Sequence, residues 1–248
     1  MSDITWGLWK LLLHGIWITV QLTVYSAALA AAVAFGIGLA RTHRRWLVRF
    51  LSGAYFEIFR GTSALILMFW MFFVLPMGFG WQLVPMWAAV LTLGLTYGAY
   101  GSEVVRGAIA AVPPSQREAG IALSFSPGQQ LRKIVLPQAW PGMVPPFNNL
   151  LIELLKGTAL VSVLGVGDIA FGASLVRNAT AQSAPVYTVV LVMYFALAFV
   201  LTRGMRAVER HAKAGVGQAP AGRLRSRSRR AAGPAVARTA AAAGGESR

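Results

Sequence analysis

Long apolar runs are the feature that most constrains how this chain folds. The run between Lys10 and Arg41 contains no Asp, Glu, Lys or Arg. An α-helix needs roughly 20 residues to cross a hydrocarbon core of about 30 Å, and this run exceeds that length. It is also far longer than the apolar core of a cleaved signal peptide. We therefore expect an uncleaved first span.

Four further apolar stretches are long enough to form spans. The chain is 56% hydrophobic and 12% charged, whereas roughly 25% of the residues in a soluble domain are charged. The stretches are continuous, and they lack the alternation over about ten residues that marks barrel strands. The predicted fold class is therefore all-α, a polytopic membrane protein with about five transmembrane helices. The four further spans are approximately Thr62 to Phe79, Val84 to Val105, Pro141 to Leu164 and Val186 to Leu201.

The placement of Lys and Arg predicts the orientation of the spans. Short loops rich in these residues stay on the cytoplasmic side of a membrane. The basic residues cluster between spans one and two and between spans three and four, so we expect the amino terminus outside and the carboxyl terminus inside. The residues of these two clusters are Arg41, Arg44, Arg45, Arg49, Arg60, Arg106, Arg117, Arg132 and Lys133.

A basic tail, residues 213–248, follows the membrane domain, residues 1–212. The tail is rich in Ala, Arg, Gly and Ser and cannot bury enough apolar surface to offset its ordering entropy, so we expect it to be disordered. A solvated tail that reinforces the inside topology is the favoured interpretation, and adhesion to anionic lipid is the alternative. Without aromatic residues the tail has no support for stacking on nucleic acid bases. Its central arginines are Arg223, Arg225, Arg227, Arg229 and Arg230.

The composition also excludes several kinds of site. There is no cysteine, and the three histidines, His14, His43 and His211, are scattered, so neither thiol chemistry nor a metal site is expected. No G-x-x-x-x-G-K-[ST] sequence occurs, and the chain therefore lacks this means of holding nucleotide phosphates. We expect no catalytic residue and no cofactor bound by this chain.

Polar residues interrupt the fourth span at Asn149, Glu153, Lys156 and Thr158. Ionisable groups within a membrane are costly and mark functional sites by default. Glu153 and Lys156 are three residues apart and share a helical face, so they either pair with each other or line a polar path for a zwitterionic solute. Thr158 would add a hydroxyl to that path.

A second pair with the same spacing, Glu103 and Arg106, lies at the cytoplasmic end of the third span. At that depth the long side chains reach the interface, so a structural ion pair is favoured over contact with a solute.

The connection between spans three and four, about residues 113–137, is too regular to be a simple linker. Ser115 with Glu118 fits the S-x-x-E capping box, and Ser126 with Gln129 repeats it. The pattern predicts two short helices joined at a bend near residues 124–126, the second ending at Pro137.

The apolar residues of these two helices need cover from the ends of the spans or from another protein. They are Ala119, Ile121, Leu123 and Phe125 on the first helix, and Leu131, Ile134 and Leu136 on the second.

This connection resembles the EAA loop of ABC importer permeases, usually written EAA, three residues, G, nine residues, I-x-LP. The matching residues are Ser115, Glu118, Ala119, Gly120, Ser124, Ile134, Leu136 and Pro137, of which Ser115 lies just before the motif. Gly120 replaces the second Ala and Ser124 replaces the Gly. We call residues 113–137 the coupling loop.

Three other segments extend the resemblance to the polar amino acid uptake subfamily: Phe56 to Ile66, Ala99 to Ile109 and Leu154 to Ile169. Together the matches cover most of residues 10–212. The overall sequence looks most like permeases for ectoine and hydroxyectoine. Ser63 stands where the subfamily usually has Pro, so the start of span two is a point where the chain differs.

The resemblance implies a type I ABC importer permease fold and a multi-pass subunit in the plasma membrane of a bacterium. The implied partners are ABC ATPase subunits that carry ATP and Mg, a second permease subunit that is the same or a related chain, an extracytoplasmic solute-binding protein, and membrane lipid. The coupling loop would dock on the ATPase. The subunit itself would be non-catalytic and would bind no nucleic acid.

The predicted function is therefore translocation of an amino acid or an amino-acid-derived compatible solute by alternating access. The proposed substrate path contains Asn149, Glu153, Lys156 and Thr158. A self-sufficient secondary transporter or channel that uses Glu153 and Lys156 is the alternative, although five spans without an internal repeat argue against it. A membrane anchor with a nucleic-acid-binding tail is a third class.

Overall fold

A computed structural model describes residues 2–80 and 82–215, and the described residues form helices joined by short connections. The tail arginines, for which adhesion to lipid is the alternative interpretation, lie outside the described residues. The helices are α1 (Ser2–Ala40), α2 (Trp46–Gly61), α3 (Ala64–Phe69), α4 (Leu75–Phe79), α5 (Pro85–Ala110), α6 (Pro114–Ala122), α7 (Pro127–Gln130), α8 (Leu136–Gly157), α9 (Ile169–Thr180) and α10 (Ser183–Gly215).

The helix α5 lies at the centre of the bundle, where it packs along α1 and also contacts α2, α3 and α8. Small residues allow this close approach. A Cβ atom at Gly94 would lie 2.5 Å from Leu29 Cδ2, and one at Gly98 would lie 2.7 Å from Val33 Cβ. Helices in membranes associate through such small residues, because lipid supplies no hydrophobic driving force between them.

The structure supports three or four of the five predicted spans by length and composition. Three helical stretches among the described residues are long and apolar enough to cross a membrane, namely Trp9–Ala40, Pro127–Leu164 and Ser183–Arg210. A bent pair, Trp46–Gly61 with Ala64–Gly78, makes a fourth if its two helices form one broken span. The helix α5 is not apolar enough to be counted with them. Its 26 residues nevertheless extend about 39 Å, which is long enough to cross a bilayer.

The basic connection predicted before span two is itself a helix, α2. Its axis makes an angle of 103° with the following segment, in which a π turn, Trp70–Val74, joins α3 to α4. At the break Ser63 adopts φ −65°, the value that proline imposes. Ser63 therefore adopts a φ that proline at this position would also adopt.

The prediction that Pro137 ends the second short helix of the coupling loop is wrong. The segments α7, a π turn at Leu131–Val135, and α8 follow one another without a break. The backbone N–H of Leu136 donates to the Leu131 carbonyl five residues back. Because proline lacks an N–H and crowds the carbonyl four residues earlier, a wider turn just before it lets the helix continue. The continuous helical stretch that contains span four thus begins at Pro127 and not near Pro141.

The helix α9 was not predicted from the sequence. Asp168 begins it, since its carboxylate accepts a hydrogen bond of 2.9 Å from the Phe171 backbone N–H. A Cβ atom at Gly15 of α1 would lie 2.9 Å from the backbone of Asp168 and Ile169. The glycine thereby lets the start of α9 pack directly on the first span.

Candidate functional site

A polar face runs along α8 and is formed by Asn149, Glu153 and Lys156. All three side chains are exposed in this subunit. Their spacings of four and three residues place them on one side of the helix. The structure therefore brings together three of the four residues predicted for the substrate path.

This polar face lies at the middle height of the bundle. The Tyr97 hydroxyl donates a hydrogen bond of 2.9 Å to the Glu153 backbone carbonyl, and Tyr97 lies halfway along α5. A Cβ atom at Gly157 would come within 2.9 Å of the same hydroxyl, so α5 and α8 pack tightly here. Glu153 therefore lies against the middle of α5.

Glu153 and Lys156 form no ion pair with each other in the structure, although their spacing permits one. An exposed charge near the midplane of a bilayer is tolerated only when it faces water or another part of a protein.

Thr158 lies apart from the polar face. Its side chain is fully buried, and its hydroxyl donates a hydrogen bond of 2.6 Å to the Leu155 carbonyl. The residue begins a short 3₁₀ segment, Thr158–Leu164. This hydroxyl is thus satisfied within its own helix, and it does not point toward Glu153.

The sequence did not indicate a role for Tyr97, whose hydroxyl donates a hydrogen bond to the Glu153 backbone carbonyl. Tyr100 lies beside it, with the two ring centroids 6.1 Å apart. The signal in the sequence was a pair of tyrosines three residues apart in the middle of an apolar span. The role of this pair became visible only from the packing of α5 against α8, which places the Tyr97 hydroxyl at the Glu153 carbonyl.

A cleft of about 880 Å³ opens between the last turns of α5, the helix α6 and the first half of α8. Its lining includes Glu103, Gln116, Gly142 and Pro146. Gly142 and Pro146 precede Asn149 on the same side of α8, at spacings of four and three residues. The cleft and the polar face are therefore parts of one continuous surface.

An ion cluster stands at the rim of this cleft. Glu103 accepts from Arg106 Nε at 3.0 Å, and Arg41 Nη1 lies 2.7 Å from Glu103 Oε2. The predicted ion pair is present, and Arg41 at the end of the first span is the member that sequence reasoning missed. The Arg41 guanidinium also lies 4.1 Å from the ring centroid of Phe56. The cluster thus links α1, α2 and α5.

The predicted capping box of Ser115 and Glu118 is wrong. The helix α6 begins at Pro114, so Pro113 holds the cap position, where no side chain forms a capping hydrogen bond. Two consecutive prolines favour an earlier start, because proline suits the first helical position. Ser115 therefore lies inside the first turn, and both Ser115 and Glu118 are exposed.

The second predicted capping box is confirmed at Ser126 and Gln129. The Gln129 N–H donates to Ser126 Oγ at 3.4 Å, and the Ser126 N–H donates to Gln129 Oε1 at 2.9 Å. The predicted bend is also present, since Ser124 adopts φ 56°. This left-handed conformation favours glycine, which the EAA motif has at this position.

The apolar residues of the coupling loop divide into two sets. Leu131 and Leu136 pack against a core that includes Val105 and Ile109 of α5. In contrast, Ile121 and Leu123 on α6 are 65% and 64% exposed. The chain's own helix ends therefore cover the second arm of the loop, while the first arm presents its apolar residues to the outside.

The remaining residues of the motif join the two arms. Gly120 is buried, and a Cβ atom there would lie 2.9 Å from Ile134 Cδ1 and 3.0 Å from Gln130 Cγ. Ala119 and Pro137 are exposed. The loop is thus a packed hairpin that carries an exposed apolar and acidic edge.

Comparison with known proteins identifies the chain. Residues 32–214 match the family described as binding-protein-dependent transport system inner membrane component. The chain belongs to this family. It is a multi-pass inner-membrane protein and the permease subunit of an ABC importer, and as such it is non-catalytic, with ATP hydrolysis on a separate subunit.

Individual relatives cover nearly the same part of this permease. A probable amino-acid ABC transporter permease protein of Sinorhizobium fredii is 48% identical over 79% of this chain and 84% of that protein. The glutamine transport system permease protein of Escherichia coli is 31% identical over 84% and 95%. The crystal structure of an amino acid ABC transporter with histidines superposes with a TM-score of 0.76 at 26% identity, covering 85% of this permease and 97% of that chain.

Proposed function

We propose that this permease passes an amino acid, or a solute derived from one, along the polar face of α8. The observation that carries the proposal is the presence of two charges of opposite sign, Glu153 and Lys156, which are exposed at middle height of the bundle and form no ion pair with any described residue. A zwitterionic solute presents a carboxylate and a cationic nitrogen, and the two side chains complement both groups. Asn149 adds a neutral hydrogen-bonding group on the side toward the cleft.

A second permease subunit, the same or a related chain, would enclose this path. Charges near the membrane midplane require cover from protein or water, and in this subunit the polar face is open. Two subunits that face each other would enclose a channel continuous with the cleft beneath it. Rocking of the two halves would then give alternating access.

The coupling loop would transmit the work of the ATPase, the subunit that binds ATP and Mg. The exposed apolar pair Ile121 and Leu123 fits a groove on that partner, and Glu118 is free to meet a basic residue there. This assignment places the loop in the cytoplasm and the amino terminus outside. An extracytoplasmic solute-binding protein would then deliver the solute at the opposite end of the path.

Polar amino acids and the cyclic derivatives ectoine and hydroxyectoine are the proposed substrates. The Escherichia coli relative carries glutamine in its name, and the sequence resembles permeases for the cyclic compounds. Each of these molecules combines a carboxylate with a cationic centre.

Uptake of labelled solutes by the assembled transporter in proteoliposomes tests the path. Lys156→Gln should reduce uptake of carboxylate-bearing solutes at least tenfold, because a charged hydrogen bond contributes about 1.5–3 kcal/mol. The matched control is Lys10→Gln, an exposed lysine near the start of α1 and outside both the polar face and the coupling loop. Equal uptake by the Lys156→Gln variant and the wild type would remove Lys156 from the path.

The role of Glu118 has a separate test. Glu118→Lys should lower co-purification of the ATPase and abolish ATP-driven uptake, while insertion into the membrane is unchanged. Glu57→Lys makes the same charge change outside the loop and should retain the ATPase. Full retention of the ATPase by the Glu118→Lys variant would contradict the docking role, and uptake without any ATPase would support a self-sufficient transporter.

A further inference from the structure

The helix α2 has three faces of different character. Ser52 and Phe56 are buried against the bundle. A polar edge carries Arg49, Glu57 and Arg60. The third face is apolar and wholly uncovered in this subunit, with side chains that are 56% to 66% exposed; they are Trp46, Leu47, Phe50, Leu51 and Ile58.

The bend after α2 sets the direction of this helix. It makes an angle of 103° with the segment that follows it, Ala64–Gly78, and that segment contacts α5. With this segment taken as span two, α2 lies close to the membrane plane. Phe56 contacts Arg41 beside the cleft, so α2 lies at the same end of the bundle as the coupling loop.

Three arginines at the start of α2 carry uncompensated charge. Arg44, Arg45 and Arg49 are exposed, and none of them forms an ion pair with another residue in the part of the chain that the structure describes. Further along the helix, Arg60 lies 3.7 Å from Glu57. The positive charge is therefore concentrated where the chain enters the helix, next to the stacked rings of Trp46 and Phe50.

We propose that this surface binds anionic phospholipid in the leaflet on the side of the coupling loop. The apolar face would lie among the acyl chains, with Trp46 at the interface, and the three guanidinium groups would bind headgroup phosphates. An in-plane helix with apolar and basic faces has the chemistry for such binding. Each basic residue near an anionic surface contributes about 1 kcal/mol.

The charges favour lipid over a second copy of this chain as the occupant. A two-fold interface through this face would bring the same surface of both subunits together. Six arginines would then lie close to one another without acidic partners from this helix start. A lipid phosphate neutralises each guanidinium instead, and it also forms strong hydrogen bonds with it.

Binding of lipid would also bear on the ion cluster at the cleft. Phe56 sits on the buried side of α2, directly against Arg41, and Arg41 pairs with Glu103. A helix held in the membrane plane by headgroups keeps Phe56 against that cluster. The transport rate should therefore rise with the fraction of anionic lipid.

Native mass spectrometry of the assembled transporter, with its ATPase, tests the proposal by titration with phosphatidylglycerol and with phosphatidylcholine of the same chains. We expect preferential binding of phosphatidylglycerol. Arg44→Gln with Arg45→Gln should lower that affinity more than tenfold, since each charge is worth about fivefold. Arg132→Gln with Lys133→Gln removes the same charge from the coupling loop and should leave the affinity unchanged.

Three results decide the proposal. Replacement of Arg44 and Arg45 by lysine should restore most of the preference for phosphatidylglycerol, which also shows that the protein is folded. Equal binding of the two lipids by the wild type would overturn the proposal. So would a loss of permease dimers in the glutamine variant with lipid binding unchanged, because that result assigns the surface to a second copy.

Discussion

Two pairs in this permease have the same spacing of a glutamate and a basic residue three positions later, yet their surroundings differ. Glu103 and Arg106 on α5 are joined by Arg41 from α1 into a closed ion cluster. Glu153 and Lys156 on α8 remain apart and exposed. Spacing along a helix thus permits an ion pair, and the neighbouring helices decide whether it forms. One pair links neighbouring helices, whereas the other stays exposed and is the pair that we propose for the solute path.

The largest expected effect is a loss of solute uptake, which should occur when Glu153 of the exposed pair is replaced. Glu153→Gln should reduce solute uptake at least tenfold while the thermal unfolding midpoint changes little, because the exposed carboxylate forms no hydrogen bond or ion pair with a described residue. Uptake into proteoliposomes and unfolding in detergent are the two measurements. A large loss of thermal stability in this variant would show that Glu153 supports the fold, as Glu103 does, and would contradict the proposed difference between the two pairs.

The second effect is on stability and concerns the other pair. Glu103→Gln should lower the free energy of unfolding by roughly 2 kcal/mol, since Arg41 is left partly buried without its partner. The side chain of Arg41 is only 14% exposed. Arg106→Gln is the matched comparison and should cost less than about 1 kcal/mol, because Arg106 is 40% exposed. Equal losses in both variants would show that Arg41 does not organise the cluster.

The smallest effect concerns the support of the polar face. Tyr97→Phe removes the hydroxyl that donates to the Glu153 carbonyl and should lower stability by about 1 kcal/mol. Uptake should fall only severalfold, since the Glu153 carboxylate stays in place. Tyr100→Phe is the control, because the Tyr100 hydroxyl forms no hydrogen bond with a described residue. Unfolding midpoints and uptake that are identical in the two variants would exclude a supporting role for Tyr97.

The sequence predicted the spans because membrane length and apolarity are properties of a continuous segment. It also predicted the bend at Ser124 and the cap at Ser126, which depend on a few adjacent residues. It failed at Ser115 because neighbouring prolines start the helix earlier, and at Pro137 because a π turn absorbs the missing hydrogen bond.

The contacts of the candidate site could be predicted from the sequence only in part. Three residues of the polar face follow from helical periodicity and the cost of charge in a membrane. The hydrogen bond from Tyr97 and the pairing of Arg41 with Glu103 depend on how α1, α5 and α8 pack, which no local pattern contains. Thr158 was assigned to the path by its position in the sequence, while its hydroxyl turns back to the Leu155 carbonyl.

The central claim is that the exposed face of α8 borders water and not lipid. The chain contains no cysteine, so a single cysteine at Asn149 can be probed with a membrane-impermeant methanethiosulfonate reagent in the assembled transporter. Phe195→Cys is the control, because Phe195 is an exposed aromatic residue on the apolar helix α10. We predict that Asn149→Cys reacts, that transported solute slows the reaction, and that Phe195→Cys stays unmodified. Equal inertness of the two cysteines would contradict the account.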